Sequence, residues 1–187
     1  MRHRGETEMI CLIRHAKTKG NTEGRYIGRT DESIAESESL KRNYPEADIV
    51  ITSGMKRTEE TAQMIYPDAM RIADKSLREC DFGAFEGYNY EELKDNIYYK
   101  KWLESGGVLP FPGGESHEGF IARCIDGFFA NIKRYRGKNI AFVVHGGTIM
   151  AVMERLFGGG FYDYRIENGG GFIVTEENGK WLSYTML

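Results

Sequence analysis

The chain is poor in cysteine and proline and carries almost no excess of charge. Its 187 residues include only three cysteines, Cys11, Cys80 and Cys124, which lie far apart and show none of the paired spacings of a zinc or redox site. We therefore expect reduced thiols, with Cys11 and Cys124 in the core. The formal net charge is −3, so neither nucleic acid nor an anionic membrane is an expected partner. An anion would need a local binding site.

Long apolar runs are also missing. No stretch approaches the roughly 20 apolar residues that a membrane span requires. The charged residues 1–8 are not followed by the apolar core of a signal peptide. We therefore expect a cytoplasmic protein in which residues 1–8 form a flexible tail, and 187 residues without repeats are expected to form a single domain.

The chain does contain alternating strand-like and helix-like segments. Continuous apolar runs, typical of strands buried on both faces of a parallel sheet, occur at 9–13, 47–52 and 140–144. Weaker strand patterns occur at 70–73, 172–175 and 181–185, and Asn178-Gly179 is expected to form a hairpin turn between the last two. Helical spacing occurs at 55–66, 117–135 and 148–157. This alternation predicts an α/β sandwich.

Two of the four histidines directly follow predicted buried strands. His15 comes after the first apolar run, and His145 comes after the run at 140–144. Ligands of open α/β sheets bind beyond the carboxyl ends of the strands, so these two rings are expected to face each other there. Gly146 and Gly147 follow His145 at a helix start, where a backbone free of side chains can approach an anion.

Cationic side chains also occur close to the ends of predicted strands. Arg14 precedes His15, and Arg57 falls in the first turn of a predicted helix that Ser53 is expected to cap. Arg14 and His15 can serve one site only if the chain turns after them, because neighbouring strand residues point to opposite faces. A solvated, charged loop is the alternative interpretation.

Proton transfer would also need an acid. The segment 77–87 offers three carboxylates, Glu79, Asp81 and Glu86, among aromatic residues and glycines. A carboxylic acid in such surroundings can act as a general acid. Composition alone does not choose among the three, and a surface loop with aromatic anchors explains the segment equally well.

Together these segments resemble the histidine phosphatase superfamily, also called the phosphoglycerate mutase-like family. The resemblance rests on four motifs in family order: LIRHAKTKGN at 12–21, SGMKRTEETA at 53–62, LRECDFGAFEG at 77–87 and VHGG at 144–147. It implies a three-layer α/β/α sandwich with a mostly parallel central sheet. Ala16 and Lys17 depart from the family's usual glycine and glutamate, and Ser33-Ile34-Ala35 replaces its usual Pro-Leu-Thr.

The resemblance also implies roles for particular residues. His15 would be the nucleophile and Glu79 the proton donor. The phosphate pocket would consist of Arg14, Arg57, Asn21, His145 and Gly146. Because cationic side chains would neutralise the phosphoryl group, neither a metal ion nor a cofactor is expected.

The resemblance predicts a phosphomonoesterase that works through a phosphohistidine. The stretches 98–119 and 167–171 look most like α-ribazole phosphatase-type enzymes, so α-ribazole 5′-phosphate or a similar small phosphomonoester is the expected substrate. Tyr26, Trp102 and Phe111 would form either an apolar wall for its ring or a cap over the core. A phosphoglycerate mutase-type phosphotransferase and a non-catalytic phosphate-binding protein remain the alternatives, and the oligomeric state is not predicted.

Overall fold

A six-stranded sheet organises the chain in the computed structural model, which describes residues 8–177 and 180–187. The strands are β1 (Glu8–Arg14), β2 (Ile49–Thr52), β3 (Met70–Ala73), β4 (Ile140–Val144), β5 (Gly171–Glu177) and β6 (Lys180–Met186). Their order across the sheet is β3-β2-β4-β1-β5-β6. The first four strands run parallel to one another, and β5 is antiparallel to both of its neighbours. The expected mostly parallel α/β sheet is confirmed.

The helices follow the strands along the chain. They are α1 (Lys19–Thr22), α2 (Lys56–Ile65), α3 (Tyr90–Leu93), α4 (Ile97–Glu104), α5 (His117–Arg134) and α6 (Gly146–Phe157). Ser116 caps α5, because its side chain accepts a hydrogen bond from the Gly119 N–H. The expected cap of α2 by Ser53 is wrong: this helix begins after Met55, and the Ser53 hydroxyl is used elsewhere.

Alternating side chains of β1 separate the two faces of the sheet. Ile10 and Leu12 belong to a core cluster with Phe128 of α5 and Val152 of α6. Cys11 and Ile13 instead belong to a cluster with residues of α2, among them Ala62. Helices therefore cover both faces of the sheet, as in a three-layer sandwich.

Two features at the level of elements go beyond the sequence analysis. Helix α4 was not among the predicted helices, and Asn96 caps it by accepting hydrogen bonds from the N–H groups of Tyr98 and Tyr99. At the start of the chain, Glu8 already belongs to β1. The remainder of the predicted tail and the Asn178-Gly179 turn lie outside the described residues.

Candidate active site

The carboxyl ends of β1 and β4 bring the two strand-end histidines together. The strands pair directly, with Arg14 opposite Val144, so His15 and His145 leave the sheet side by side. Their ring centroids are 5.2 Å apart with a 67° angle between the planes. Both rings are buried, with His15 4% exposed and His145 fully enclosed.

The His15 ring is fixed in one tautomer. Its Nδ1 lies 2.7 Å from the carbonyl oxygen of Ala16, and a carbonyl can only accept, so Nδ1 carries the proton. Burial, with the nearby Arg57 and Arg14 guanidinium groups, holds the pKa of His15 well below its usual 6.5. The Nε2 atom therefore keeps an unprotonated lone pair. Ala16 is itself held by Thr61 of α2, whose Oγ1 accepts from its N–H at 2.9 Å.

His145 is held by two residues of the β2–α2 segment. Its Nδ1 accepts from Arg57 Nε at 3.3 Å, which leaves the proton on Nε2 to be donated to Ser53 Oγ at 2.7 Å. This contact explains why Ser53 does not cap α2. Burial, with the neighbouring Arg57 and His15, holds the pKa of His145 well below its ordinary value.

Arg57 is completely buried beside the two rings. Its Nη1 donates to the Thr30 carbonyl at 2.7 Å, and its Nη2 donates to the Gly28 carbonyl at 2.9 Å. Burial lowers the pKa of this guanidinium, while Glu79 opposes that shift. The loop that follows α1 therefore fixes the guanidinium in place.

Arg14 reaches the same region from the end of β1. Its Nη1 donates to the Ile166 carbonyl at 2.7 Å. Its Nε is buried without a hydrogen-bond partner among the described residues. A side chain on Gly146 would lie 3.3 Å from this Nε, so the guanidinium passes close to the first turn of α6. The structure thus brings two of the predicted cationic groups and the helix start together.

Glu79 also meets the start of α6. Its Oε2 accepts from the Gly147 N–H at 3.1 Å, and its Oε1 accepts from the Cys80 N–H at 3.0 Å. The other two carboxylates of this segment point elsewhere: Asp81 accepts from Gly83, and Glu86 accepts from the loop that holds Arg57. Cys80 is buried, and burial raises the pKa of its thiol.

Asn21 is linked to the backbone of His15 by Asn168, a residue that the sequence analysis did not single out. Asn168 Nδ2 donates to the His15 carbonyl at 2.9 Å and to Asn21 Oδ1 at 3.1 Å. Thr18 N–H also donates to this Oδ1 at 3.3 Å, so the amide nitrogen of Asn21 is the end left for another partner. Asn168 follows no strand and carries no charge, so only its buried amide, 7% exposed, marks it.

A cavity of about 760 Å³ opens above Arg14 and Glu79. Its remaining lining is strongly aromatic and includes Tyr26, Phe82, Trp102, Phe111, Phe120, Phe161 and Tyr162. Trp102 and Phe111 pack against each other at 5.2 Å and are almost buried, whereas Tyr26 is half-buried. Tyr26 therefore forms part of the cavity wall, while Trp102 and Phe111 also belong to the core cluster against which Tyr26 packs.

His117, the first residue of α5, also lines the cavity. Its ring is half-buried against Phe161, with 4.7 Å between the ring centroids. Lys17 is exposed, and the methyl group of Ala16 is fully buried.

Within residues 8–177 and 180–187, no group of three or more His, Cys, Asp or Glu could hold a metal ion. No helix of that part of the chain is long and apolar enough to cross a membrane.

Comparison with known proteins agrees with this geometry. The family model of the histidine phosphatase superfamily (branch 1) matches residues 10–185. A metal-independent phosphoserine phosphatase of Arabidopsis thaliana is 30% identical over 169 residues, covering 81% of this chain and 69% of that one. A 2,3-bisphosphoglycerate-dependent phosphoglycerate mutase of Methylobacterium sp. (strain 4-46) is 30% identical over 171 residues, covering 80% and 81%.

The fold is shared with a solved structure as well. The α-ribazole phosphatase of Shigella flexneri superposes with a TM-score of 0.80 at 22% identity, covering 92% of this chain and 93% of that chain. The central sheet and its flanking helices are therefore of the phosphoglycerate mutase-like type. The match over nearly the whole sequence and the shared fold together show that this protein is an enzyme of the histidine phosphatase superfamily.

Proposed function

We propose that the enzyme hydrolyses small phosphomonoesters through a phosphohistidine formed on His15, without a metal ion. The observation that carries this proposal is the fixed tautomer of His15, whose Nδ1 proton is held by the Ala16 carbonyl. An imidazole that is neutral with Nε2 unprotonated is a nucleophile without a separate base.

Both half-reactions use Glu79. In the first, His15 Nε2 attacks phosphorus, the bond from phosphorus to the ester oxygen breaks, and Glu79 gives its proton to the departing oxygen. In the second, water attacks phosphorus, the phosphorus–nitrogen bond breaks, and the Glu79 carboxylate accepts the proton of that water. His15 and Glu79 then return to their starting states with inorganic phosphate as product.

The phosphoryl group would be bound by the groups that surround His15. Arg14 has a buried Nε without a partner, and Gly146 has an N–H in the first helical turn, where such groups have no intrahelical acceptor. Arg57 and the free amide end of Asn21 would complete the pocket, and His145, whose two ring nitrogens bond to Arg57 and Ser53, would hold Arg57 there. Donors fixed around the equatorial oxygens stabilise the charge that the transition state places there.

The cavity supports a substrate whose alcohol carries a ring. Its volume, about 760 Å³, lies within the range of pockets that hold drug-sized ligands, and half-buried aromatic side chains such as Tyr26, Phe82 and Phe161 line it. α-Ribazole 5′-phosphate belongs to this class. Phosphoserine is a second candidate because a relative that is 30% identical is named a phosphoserine phosphatase.

The reaction is tested by trapping the covalent intermediate. Purified protein is mixed with p-nitrophenyl phosphate in excess EDTA, quenched at alkaline pH within milliseconds and digested for mass spectrometry. We expect acid-labile phosphate on the peptide that contains His15, and its loss in His15→Ala. Acid-stable phosphate there, or turnover that needs Mg²⁺, would contradict the proposal. Binding of phosphate without any turnover would favour a non-catalytic binding protein.

The substrate class is tested by comparing kcat/KM across a panel. We expect α-ribazole 5′-phosphate to be hydrolysed at least about tenfold more efficiently than phosphoserine, because aromatic contacts contribute about 0.5–1.5 kcal/mol each beyond area burial. A preference for phosphoserine would reverse the substrate proposal and leave the phosphohistidine chemistry intact. Conversion of 3-phosphoglycerate to 2-phosphoglycerate would identify a mutase instead.

A further inference from the structure

Arg57 and Glu86 contact the same two residues of the loop after α1. The Gly28 and Thr30 carbonyl oxygens accept from Arg57 at 2.9 and 2.7 Å. The N–H groups of the same two residues both donate to Glu86 Oε1, each at 2.9 Å. The loop is therefore clamped between a guanidinium on one side and a carboxylate on the other.

The surroundings leave this loop little freedom to move. A side chain at Gly28 would lie 1.9 Å from the Cys80 carbonyl oxygen, so the backbone passes directly against the segment that carries Glu79. Next to it, the Tyr26 carbonyl accepts from the Gly87 N–H at 2.8 Å, and the Tyr26 N–H donates to the Tyr88 carbonyl at 2.9 Å. The two residues that follow Glu86 are thus fastened to the loop as well.

Glu86 faces the loop with one oxygen and keeps the other buried. Its Oε2 has no hydrogen-bond partner among the described residues. Leaving a buried carboxylate oxygen unpaired is costly. The cost is offset where the negative charge lies close to a buried cation, and Glu86 is one of the acidic groups that act electrostatically on Arg57.

We propose that Glu86 is a positioning residue for Arg57, which it holds against the phosphate site through the peptide groups of Gly28 and Thr30. This inference rests on the proposed function in one respect, that Arg57 binds the phosphoryl group. It also gives a role to a carboxylate that composition could not distinguish from Glu79. Glu86 would not touch substrate and would act on every phosphomonoester alike.

The test is a double-mutant cycle read by the binding of inorganic phosphate. Isothermal titration calorimetry gives the Kd for wild type, Glu86→Ala, Arg57→Ala and the double variant. We expect Glu86→Ala to raise the Kd by at least about tenfold, and the double variant to bind no more weakly than Arg57→Ala within about twofold. The proposal would be overturned if the Kd of the double variant rose by the product of the two single-variant factors, or if Glu86→Ala left the Kd unchanged.

A matched control is a carboxylate of α2 that contacts the same loop farther along the chain. Glu60 of α2 is also half-buried and accepts from the Ile34 N–H at 2.9 Å, but it does not contact the two residues that hold Arg57. We expect Glu60→Ala to leave the Kd of phosphate unchanged. An equal loss in Glu60→Ala would mean that general loosening of the loop explains the effect, which overturns the proposal.

Two measurements keep the test decisive. Glu86→Gln retains an acceptor oxygen, so it should recover much of the affinity lost in Glu86→Ala, and it serves in the cycle if the alanine variant does not fold.

Single-turnover phosphorylation of the Glu86 variants should fall by the same factor with p-nitrophenyl and alkyl phosphates, because Arg57 contacts the phosphoryl group in both. A loss confined to alkyl phosphates would assign Glu86 to proton transfer and overturn the proposal. Failure of wild type to form phosphohistidine would contradict the proposed function separately.

Discussion

Glu79 gives a proton to the leaving oxygen in the proposed reaction, so its importance depends on how much that oxygen needs one. A nitrophenolate leaves readily without a proton, and an alkoxide does not. In Glu79→Gln, phosphoenzyme formation should fall only modestly with p-nitrophenyl phosphate but by about 10²- to 10⁴-fold with an alkyl phosphate. Single-turnover quench-flow measures this step apart from the later attack of water. Equal losses with both substrates would mean that Glu79 is structural.

Asn168 allows a second prediction at the scale of one side chain. Asn168→Ala removes the two hydrogen bonds that its Nδ2 makes to the His15 carbonyl and to Asn21. We expect a loss of about 1–3 kcal/mol in the free energy of unfolding and a fall of at least about tenfold in the rate of His15 phosphorylation. Urea denaturation and quench-flow measure the two quantities.

Asn131 of α5 provides the control for Asn168. It is also buried and donates two hydrogen bonds from Nδ2, to Asp74 and to the Gly127 carbonyl. Asn131→Ala should lose similar stability but keep the phosphorylation rate of the folded enzyme. If both variants lose activity equally, Asn168 has no positioning role.

These residues show how far the sequence could predict the site. His15 and His145 were found because each directly follows a buried strand, and a parallel sheet places such positions at one edge. Glu79 could be separated from Glu86 only by family resemblance, since both lie in one segment and their partners come from distant loops. Ser53 and Asn168 were misassigned or missed because a neutral side chain gives no local signal of a tertiary hydrogen bond.

At the scale of elements, the start of α6 is where Glu79 and the proposed phosphate pocket meet. A methyl group on Gly147 would lie 2.3 Å from Glu79 Oε1 and 3.0 Å from the Phe120 ring. Gly147→Ala should therefore displace the carboxylate and reduce phosphorylation by alkyl phosphates at least about tenfold, with a smaller effect on p-nitrophenyl phosphate. Single-turnover rates check this expectation.

Gly119 of α5 is the matched helical glycine. Among residues 8–177 and 180–187, a methyl group there would meet only the Ser116 hydroxyl, at 3.0 Å, away from Glu79. Gly119→Ala should keep the wild-type rate. A Gly147→Ala enzyme as active as wild type would show that Glu79 does not need the position seen at the helix start.

Element prediction succeeded where a pattern was long and failed where it was short. The apolar spacing of α5 and the continuous apolar runs of β2 and β4 predicted these elements, because α5 buries one face and β2 and β4 bury every residue. Helix α4 was missed because it spans only eight residues, and its start depends on a cap from Asn96. Such a signal is local and lies outside hydrophobic periodicity.

For the whole molecule, the two buried histidines predict a loss of stability in mild acid. Their pKa values are held well below 6.5 in the folded state. Above about pH 6.5 both histidines are neutral in the folded and in the unfolded protein. Below that pH only the unfolded protein binds the two protons. The free energy of unfolding therefore falls by about 1.4 kcal/mol per pH unit for each histidine as the pH is lowered. Urea denaturation between pH 7.5 and 5.5 measures this slope.

His15→Asn tests the origin of that slope. The substitution removes one of the two groups, so the pH dependence should become shallower by about 1.4 kcal/mol per pH unit, whatever the variant's absolute stability. A variant with the same slope as wild type would show that His15 takes up its proton equally easily in the folded protein.

The central place of β1 in the sheet has a consequence for biosynthesis. Ile10 pairs with Ile140 on one side and with Val174 on the other, so the strand that leads into His15 pairs with strands made much later. At ribosomal rates of about 5–20 residues per second, β1 must wait on the order of ten seconds for its partners. During that time its apolar side chains are unpaired and open to chaperones or aggregation. A nascent chain therefore carries His15 long before it has an active site.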